Sequence, residues 1–341
     1  MSTYSLHFEL AIGKCGKSSG RGYAVGPTAC RLGAVRLGLR SHKARKTLHP
    51  YPARNEALLK KRVLITDVDN TLLDWQELWY QTFSAMTDKV LEISGVSAEV
   101  LYAQCSVVHQ RYGTSEYSRL LEELPCLRDL YGDDIAIVMK PAIEAFRETR
   151  RRVLQLYPTV EATLQTLKRN GVLIAAYTES QAFYTSYRFR KLGLDGLVDY
   201  LYSPKDHIMP EDTESTRFYS NDTYKLKHTI HHYTPEGELK PNPHILAEII
   251  SDLGAAVDEV VYVGDNILKD VFMAQTAGVI DAHALYGVSQ HKPEYELLRK
   301  VTHWTPEMVE RERQALKPGG LKPSHVLDKS FAQILPLFEV F

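Results

Sequence analysis

Arg62-Val-Leu-Ile-Thr-Asp67-Val-Asp69-Asn-Thr71-Leu-Leu73 decides the fold. Val63 to Thr66 are all apolar or β-branched, and a strand with no polar face is one buried on both sides, as in a parallel sheet. The run stops at Asp67, and Asp69 and Thr71 follow at steps of two residues. An apolar strand that runs into acids places them at its carboxyl end, where open α/β sheets bind ligands. Successive strand side chains face opposite ways, so Asp67 and Asp69 share a side only if the chain stays roughly extended between them. Two such carboxylates can hold a hard divalent cation, and one of them can attack an electrophile. The competing reading is an Asp-rich turn after a strand, since Asp and Asn favour turns.

The remaining chain supplies more of the same architecture. Val172-Leu-Ile-Ala-Ala-Tyr-Thr178 reads as a second buried strand ending in a hydroxyl, after a helix over 160–169 that stops at Asn170-Gly171. A helix over 181–192 and a short strand near 197–202 follow. Lys240-Pro-Asn-Pro243 opens a helix over 244–253, because Pro suits the first helical turn. Glu259-Val-Val-Tyr-Val-Gly264-Asp265-Asn266 is another buried strand, with Asp270 five residues past Asp265. A last strand covers 279–284, residues 289–325 are polar and irregular or helical, and 326–341 reads as a final helix on the sheet. Between the first two strands, 74–157 carries only helical patterns: 75–90, with Leu78, Trp79, Phe83, Met86 and Val90 at helical spacing, then 99–111, 116–124 and 141–153.

In their order, hhhhDxDxTL, the strand ending in Thr178, Lys240-Pro-x-Pro and hhhhGDxxxxD resemble the four motifs of the haloacid dehalogenase superfamily of phosphohydrolases, phosphoglycolate phosphatases among them. The resemblance spans Arg62 to about Tyr286. It implies an α/β fold, a Rossmann-like three-layer core with a parallel sheet, formed by 61–73 and 158–341, and a helical C1 cap domain over 74–157. It leaves 1–60 and an insert at 203–239 unaccounted for. It implies Asp67 as nucleophile and Asp69 as general acid/base. Thr178 and Lys240 would bind phosphate, and Asp270 would orient Lys240 or a metal-bound water. Mg²⁺ would be held by Asp67, the backbone carbonyl of Asp69 and Asp265. An acid at position 69 points away from dehalogenases, which lack one, and from transport ATPases, which carry Thr. Hydrolysis of a small phosphorylated metabolite, phosphoglycolate-like or a nucleotide, is the expected activity. A phosphomutase of the same fold and a non-catalytic regulatory protein are the alternatives. Trp75, Tyr80, Arg111 and Tyr112 are the cap's candidates for substrate contact.

Charge divides the chain. Residues 1–61 hold 12 Lys and Arg against 2 Asp and Glu, whereas the remainder holds 29 against 40. The basic stretch 1–60 is rich in Gly and Ser, lacks periodicity, and reads as a disordered extension. An Arg-rich, acid-poor start also suits a transit peptide, or a nucleic-acid or anion-binding arm. Nucleic acid is not an expected partner of the acidic body. Gly16-Lys17-Ser18 is not a phosphate loop, since Ala11 stands where that motif needs Gly. No apolar run reaches the roughly 18 residues of a membrane span, and none near Met1 has a signal-peptide form. Cys15, Cys30, Cys105 and Cys126 show no CxxC pairing and suit a reducing, cytoplasmic setting. Within 203–239, His207, His228, His231 and His232 have spacings that can serve a transition metal, while the stretch reads as an exposed loop or an extra hairpin.

Overall fold

A computed structural model describes residues 61–206, 223–315 and 321–340. The expected basic extension 1–60 and His207 lie outside the described residues. Seven strands, β1 (Val63–Thr66), β2 (Leu173–Tyr177), β3 (Tyr200–Ser203), β4 (Ile230–Tyr233), β5 (Val260–Gly264), β6 (Ile280–His283) and β7 (His325–Val326), form one sheet in the order β4-β3-β2-β1-β5-β6-β7. Every pairing is parallel. β1 lies at the centre, with Ile65 level with Ala175 of β2 and Tyr262 of β5. Its carboxyl end therefore sits at the middle of the sheet edge, flanked by the ends of β2 and β5.

Strand alternation sorts the core into two layers. Leu64, Ile174, Ala176, Val261 and Val263 pack on one face against Leu164, Phe189 and Phe331. Val63, Ile65, Ala175 and Tyr262 pack on the other against Leu246, Ile249, Ile250 and Met273. Helices thus cover both faces, which is why the strands need no polar side.

The helical segment after β1 comprises α1 (Trp75–Ser94), α2 (Ala98–Tyr112), short α3 (Leu120–Glu123), α4 (Pro125–Tyr131) and α5 (Ile135–Val138), and α6 (Lys140–Val153). Asp74 caps α1 by accepting from the Glu77 amide at 3.0 Å. The heptad-like stripe of α1 builds a third cluster, in which Trp79, Phe83 and Val90 meet Leu101, Cys105 and Leu127. The helix over 116–124 expected from sequence shortens to α3. The core then continues through α7 (Val160–Arg169), α8 (Ala182–Leu192), α9 (Pro243–Asp252) and α10 (Phe272–Thr276). Two more helices follow, α11 (Tyr295–Val301) and α12 (Pro306–Ala315). α11 buries Tyr295, Leu298 and Val301 in the α1–α2 cluster, so a late part of the chain closes the helical segment's core.

Three expectations change. Among its described residues the His-rich stretch forms no hairpin but a parallel edge strand, β4, beside β3. His231 and His232 are consecutive in it and face opposite sides, so they cannot converge on one metal. His231 meets the Ser203 hydroxyl at 2.9 Å and His232 stacks on Tyr202 with ring centres 5.1 Å apart. The C-terminal stretch is not one α-helix: it gives β7 and then a 3-10 helix, Phe331–Phe338, which packs Phe331, Ile334 and Phe338 on the sheet. Pro336 inside it removes the amide an α-helix would need there. β3 starts at Tyr200, three residues later than the apolar run suggested.

No helix among the described residues is long and apolar enough to cross a membrane.

Candidate active site

Asp67 follows β1 and extends its ladder, donating its amide to the Val263 carbonyl at 2.8 Å. Val68 is buried in the core, and the chain then turns: Asn70 takes φ +60°, a conformation Asn tolerates better than most residues. The Val68 carbonyl closes the turn by accepting from the Leu72 amide at 2.8 Å. Asn70 Oδ1 accepts from the Gln76 amide at 2.9 Å, tying the loop to the start of α1. The Thr71 hydroxyl comes back to Asp67 Oδ2 at 3.0 Å.

Gly287 backs this loop. A Cβ there would lie 1.7 Å from the Asn70 carbonyl oxygen, a backbone atom with nowhere to go. Gly287→Ala is therefore expected to lower stability by about 1–3 kcal/mol and to depress activity with it. Thermal melts of the purified variant check this, and a wild-type melting temperature would contradict it.

Lys240, from the turn ahead of α9, reaches under the sheet edge. Its Nζ donates to Asp67 Oδ1 at 2.7 Å and to Asp270 Oδ1 at 3.0 Å. It also lies over the rings of Tyr177 and Tyr262, at 4.8 and 5.6 Å. Its backbone amide donates to Glu179 Oε1 at 3.0 Å, which fixes the turn to the end of β2. Asn242 caps α9 by accepting from the His244 and Ile245 amides. Asp270, on a π-helical turn over Ile267–Val271, accepts from the Tyr262 hydroxyl at 2.8 Å and from the Asn266 amide at 3.0 Å. Asp265 follows β5, its carbonyl bonded to His283 Nε2 at 2.8 Å. Carboxylate oxygens of Asp67, Asp265 and Asp270 lie within 4.8 Å of one another.

Three buried carboxylates face essentially one ammonium. Burial pushes the Asp67 carboxyl up to about 7, with Lys240 pulling down and Asp270 and Asp69 pushing further up. Burial also holds Asp265 well above the carboxylate range, reinforced by Asp67 and Asp270. For Lys240, burial would lower the pKa, but Asp270 and Asp67 outweigh it and keep the ammonium charged. The arrangement is short of positive charge, and its donors are all oxygens. That is the donor chemistry of a hard divalent cation, and the site fits one.

Thr178 follows β2, fully buried, its amide bonded to the Tyr202 carbonyl at 3.0 Å and its hydroxyl accepting from the Ser180 amide at 3.1 Å. Asp69 lies beyond the three-carboxylate cluster. Its Oδ2 accepts from the Ser180 hydroxyl at 2.5 Å, and its Oδ1 and Oδ2 accept from Arg188 Nη1 at 3.2 and 3.4 Å. Arg188, on α8, is only 3% exposed. Its other nitrogen, Nη2, donates to Glu116 from the helical segment. Burial alone would lower the guanidinium's pKa, and the charges of Asp69 and Glu116 more than offset that.

Sequence reading missed Arg188, Ser180, Glu179 and Lys269, whose Nζ pairs with Glu179. Arg188 was visible in principle. Ala182, Thr185 and Phe189 form the buried stripe of α8, and an Arg falling on that stripe must have an acid to meet. Of the four proposed substrate contacts, Arg111 is paired with Glu123 at 3.2 Å and Tyr112 stacks on Tyr117 at 3.7 Å. Trp75 and Tyr80 pack against the helical cluster.

The pattern of the family described as haloacid dehalogenase-like hydrolase matches residues 61–278. Glyceraldehyde 3-phosphate phosphatase of Methanopyrus kandleri is 28% identical over 233 residues, 67% of this chain and 86% of that relative. Among solved structures, 2-haloacid dehalogenase from Pseudomonas syringae pv. Tomato DC3000 is 18% identical with a TM-score of 0.47, covering 82% of this chain and 98% of that one. A predicted phosphoglycolate phosphatase from Haemophilus somnus 129pt is 17% identical with a TM-score of 0.43, over 81% and 97% of the two chains.

Proposed function

The chain belongs to the haloacid dehalogenase-like hydrolases, and within that family we propose a Mg²⁺-dependent phosphatase that hydrolyses a small phosphomonoester through an aspartyl-phosphate on Asp67. The observation that carries this reading is Lys240, buried and bonded to both Asp67 and Asp270 beside Asp265 at the carboxyl edge of the sheet.

Asp67 is held at both oxygens, by Lys240 and by Thr71, which fixes the orientation of its carboxylate. An Asp67 oxygen forms the bond to phosphorus while the bond to the ester oxygen breaks. Asp69 supplies the proton that the departing oxygen takes, and the resulting carboxylate then draws a proton from the water that clears Asp67. Lys240 and the Thr178 hydroxyl balance the charge on the transferring group. Asp270 holds Lys240 in place and, through Tyr262, is itself held. Asp67, Asp265 and the Asp69 carbonyl would hold Mg²⁺, which when bound neutralises phosphoryl charge that these carboxylates would otherwise repel.

The substrate class follows the Methanopyrus relative, a phosphatase of a small phosphorylated aldehyde. A panel of phosphomonoesters that includes glyceraldehyde 3-phosphate and phosphoglycolate, run with Asp67→Asn as the blank, tests the reading. Phosphate release from none of them would remove it. Activity is also expected to vanish in excess EDTA and return with added Mg²⁺. Full turnover in EDTA would show that Lys240 alone balances the charge.

A further inference from the structure

Three buried or half-buried side chains outside the three-carboxylate cluster form one continuous bridge: Asp69, Arg188 and Glu116. We propose that Arg188 is a positioning residue that aims the carboxyl of Asp69 at the departing oxygen, and that Glu116 makes this aim depend on the seating of the helical segment.

The geometry separates the two tasks. Arg188 Nη1 serves the core side, reaching both oxygens of Asp69 at 3.2 and 3.4 Å and the Ser180 hydroxyl at 3.2 Å. Nη2 serves the helical side, donating to Glu116. A guanidinium is a rigid planar fork, so an anchor at one nitrogen sets the direction of the other. Glu116 is fixed in turn, because the Tyr184 hydroxyl, one turn before Arg188 on α8, donates to the Glu116 backbone carbonyl. The loop that carries Asp69 is braced at Asn70 by Gly287 and Gln76 and at Thr71 by the Tyr286 hydroxyl, while Arg188 and Ser180 hold the Asp69 carboxylate itself.

The bridge also tolerates the two charge states that acid/base work requires. Ser180 donates to ionised Asp69, and the same hydroxyl can accept when Asp69 carries the proton. Arg188 retains one Asp69 oxygen in either state, so the carboxyl keeps its direction through the cycle. Arg188 is too enclosed to hold a substrate anion as well, since both terminal nitrogens have protein partners.

The step served is the first half of the reaction. As an Asp67 oxygen bonds to phosphorus, the P–O bond to the leaving group breaks with its electron pair on that oxygen, which takes the Asp69 proton. A leaving group that is stable as an anion needs no proton, and one that is not needs it badly. The proposal rests on the phosphatase reading above, and leaving-group dependence separates the two.

kcat/KM, which reports steps up to the first irreversible one, is measured for wild type, Asp69→Asn, Arg188→Met, Glu116→Gln and the double variant Asp69→Asn/Arg188→Met. The probes are 2,4-dinitrophenyl phosphate and phenyl phosphate, whose phenol leaving group has a pKa of about 10, like tyrosine. Arg188→Met is expected to lose about 10²-fold on phenyl phosphate and only a few-fold on the dinitrophenyl ester. Glu116→Gln, at a part-exposed position that keeps a hydrogen bond to Arg188, should show the same selectivity at smaller size. Adding Arg188→Met to Asp69→Asn should cost little more, because the two act as one unit. Equal losses on both esters, or full additivity in the double variant, would overturn the positioning role and leave Arg188 a structural residue. Glu116→Gln equal to wild type on phenyl phosphate would overturn the dependence on the helical segment. Wild type inactive on both esters and on the phosphomonoester panel would sink the phosphatase reading itself, and the proposal with it.

Discussion

Asp67→Asn is expected to lower kcat/KM by about 10³-fold or more while leaving a folded chain, with its unfolding temperature in EDTA at alkaline pH at or above wild type. The loss of turnover follows from chemistry: an amide oxygen is a poor nucleophile, and no neighbouring carboxylate stands in its place. Asp265 follows β5 and Asp270 sits on the turn after it, where Lys240, Tyr262 and the Asn266 amide take up the Asp270 carboxylate. The gain in stability follows from electrostatics. Burial raises the folded-state pKa of Asp67 to about 7, above the unfolded value near 4. A group whose pKa rises on folding contributes stability that is fully present below its unfolded pKa and is lost as pH climbs through its folded pKa. Metal-free wild type should thus weaken between about pH 4 and 7, and Asn, which carries no charge at any pH, should not share that slope. Lys240 keeps Asp270 as a partner in the variant, so no buried ammonium is stranded. Phosphate release and thermal melts in EDTA at pH 5.5 and pH 8 check both halves. A variant with near wild-type turnover would end the nucleophile assignment, and one that melts much lower than wild type at pH 8 would show that the Lys240 pair outweighs the carboxylate repulsion. Such a site is one where function is kept at the expense of stability, as buried like charges commonly are.

What could be read from sequence was what a strand's period and a helix's cap encode locally. β1, β2 and β5 announced themselves because central parallel strands must be apolar on both faces, and Asp67, Thr178 and Asp265 were legible as the polar residues at which such runs stop. Lys240 was legible because Pro241 and Pro243 mark a helix start. β4 was not, because an edge strand is half solvated, and Ile230-His-His-Tyr233 has no apolar run to declare it. Partnerships between distant residues were not legible either. Glu116 and Arg188 are 72 positions apart, and Glu179 and Lys269 are 90 apart. Neither pair has a local signal beyond a charge falling on a buried stripe. The placement of α11 in the α1–α2 cluster is of the same kind: Tyr295, Leu298 and Val301 show a helical spacing, but nothing in it says which cluster they enter.

Lys240→Ala is expected to lower kcat/KM by roughly 10²-fold or more, while Lys205→Ala, Lys225→Ala and Lys227→Ala each change it little. All four lysines lie between the strand that ends at Thr178 and the strand that ends at Asp265, so sequence position does not choose among them. Environment does. Lys205, Lys225 and Lys227 are exposed, and the first lies over the Tyr233 ring at the far edge of the sheet. An exposed ammonium in water adds little to a transition state elsewhere. Lys240 is buried against two rings and two carboxylates, where its field is weakly screened and it needs no reorganisation as charge shifts onto the transferring group. Lys269, the other ammonium that senses Lys240, cannot take over, because Glu179 holds it. Removing Lys240 also strands Asp67 and Asp270 without their counter-ion, and breaking a buried pair in this way costs about 3–5 kcal/mol. The variant is therefore assayed at saturating Mg²⁺ with its fold followed by circular dichroism, so that a catalytic loss is separated from unfolding. The melting temperature of Lys240→Ala should rise more steeply with Mg²⁺ than that of wild type, since the cation becomes the carboxylates' main partner. An essential Lys205, Lys225 or Lys227 beside a dispensable Lys240 would mean that the phosphate is held over the β3–β4 edge and not at the centre of the sheet.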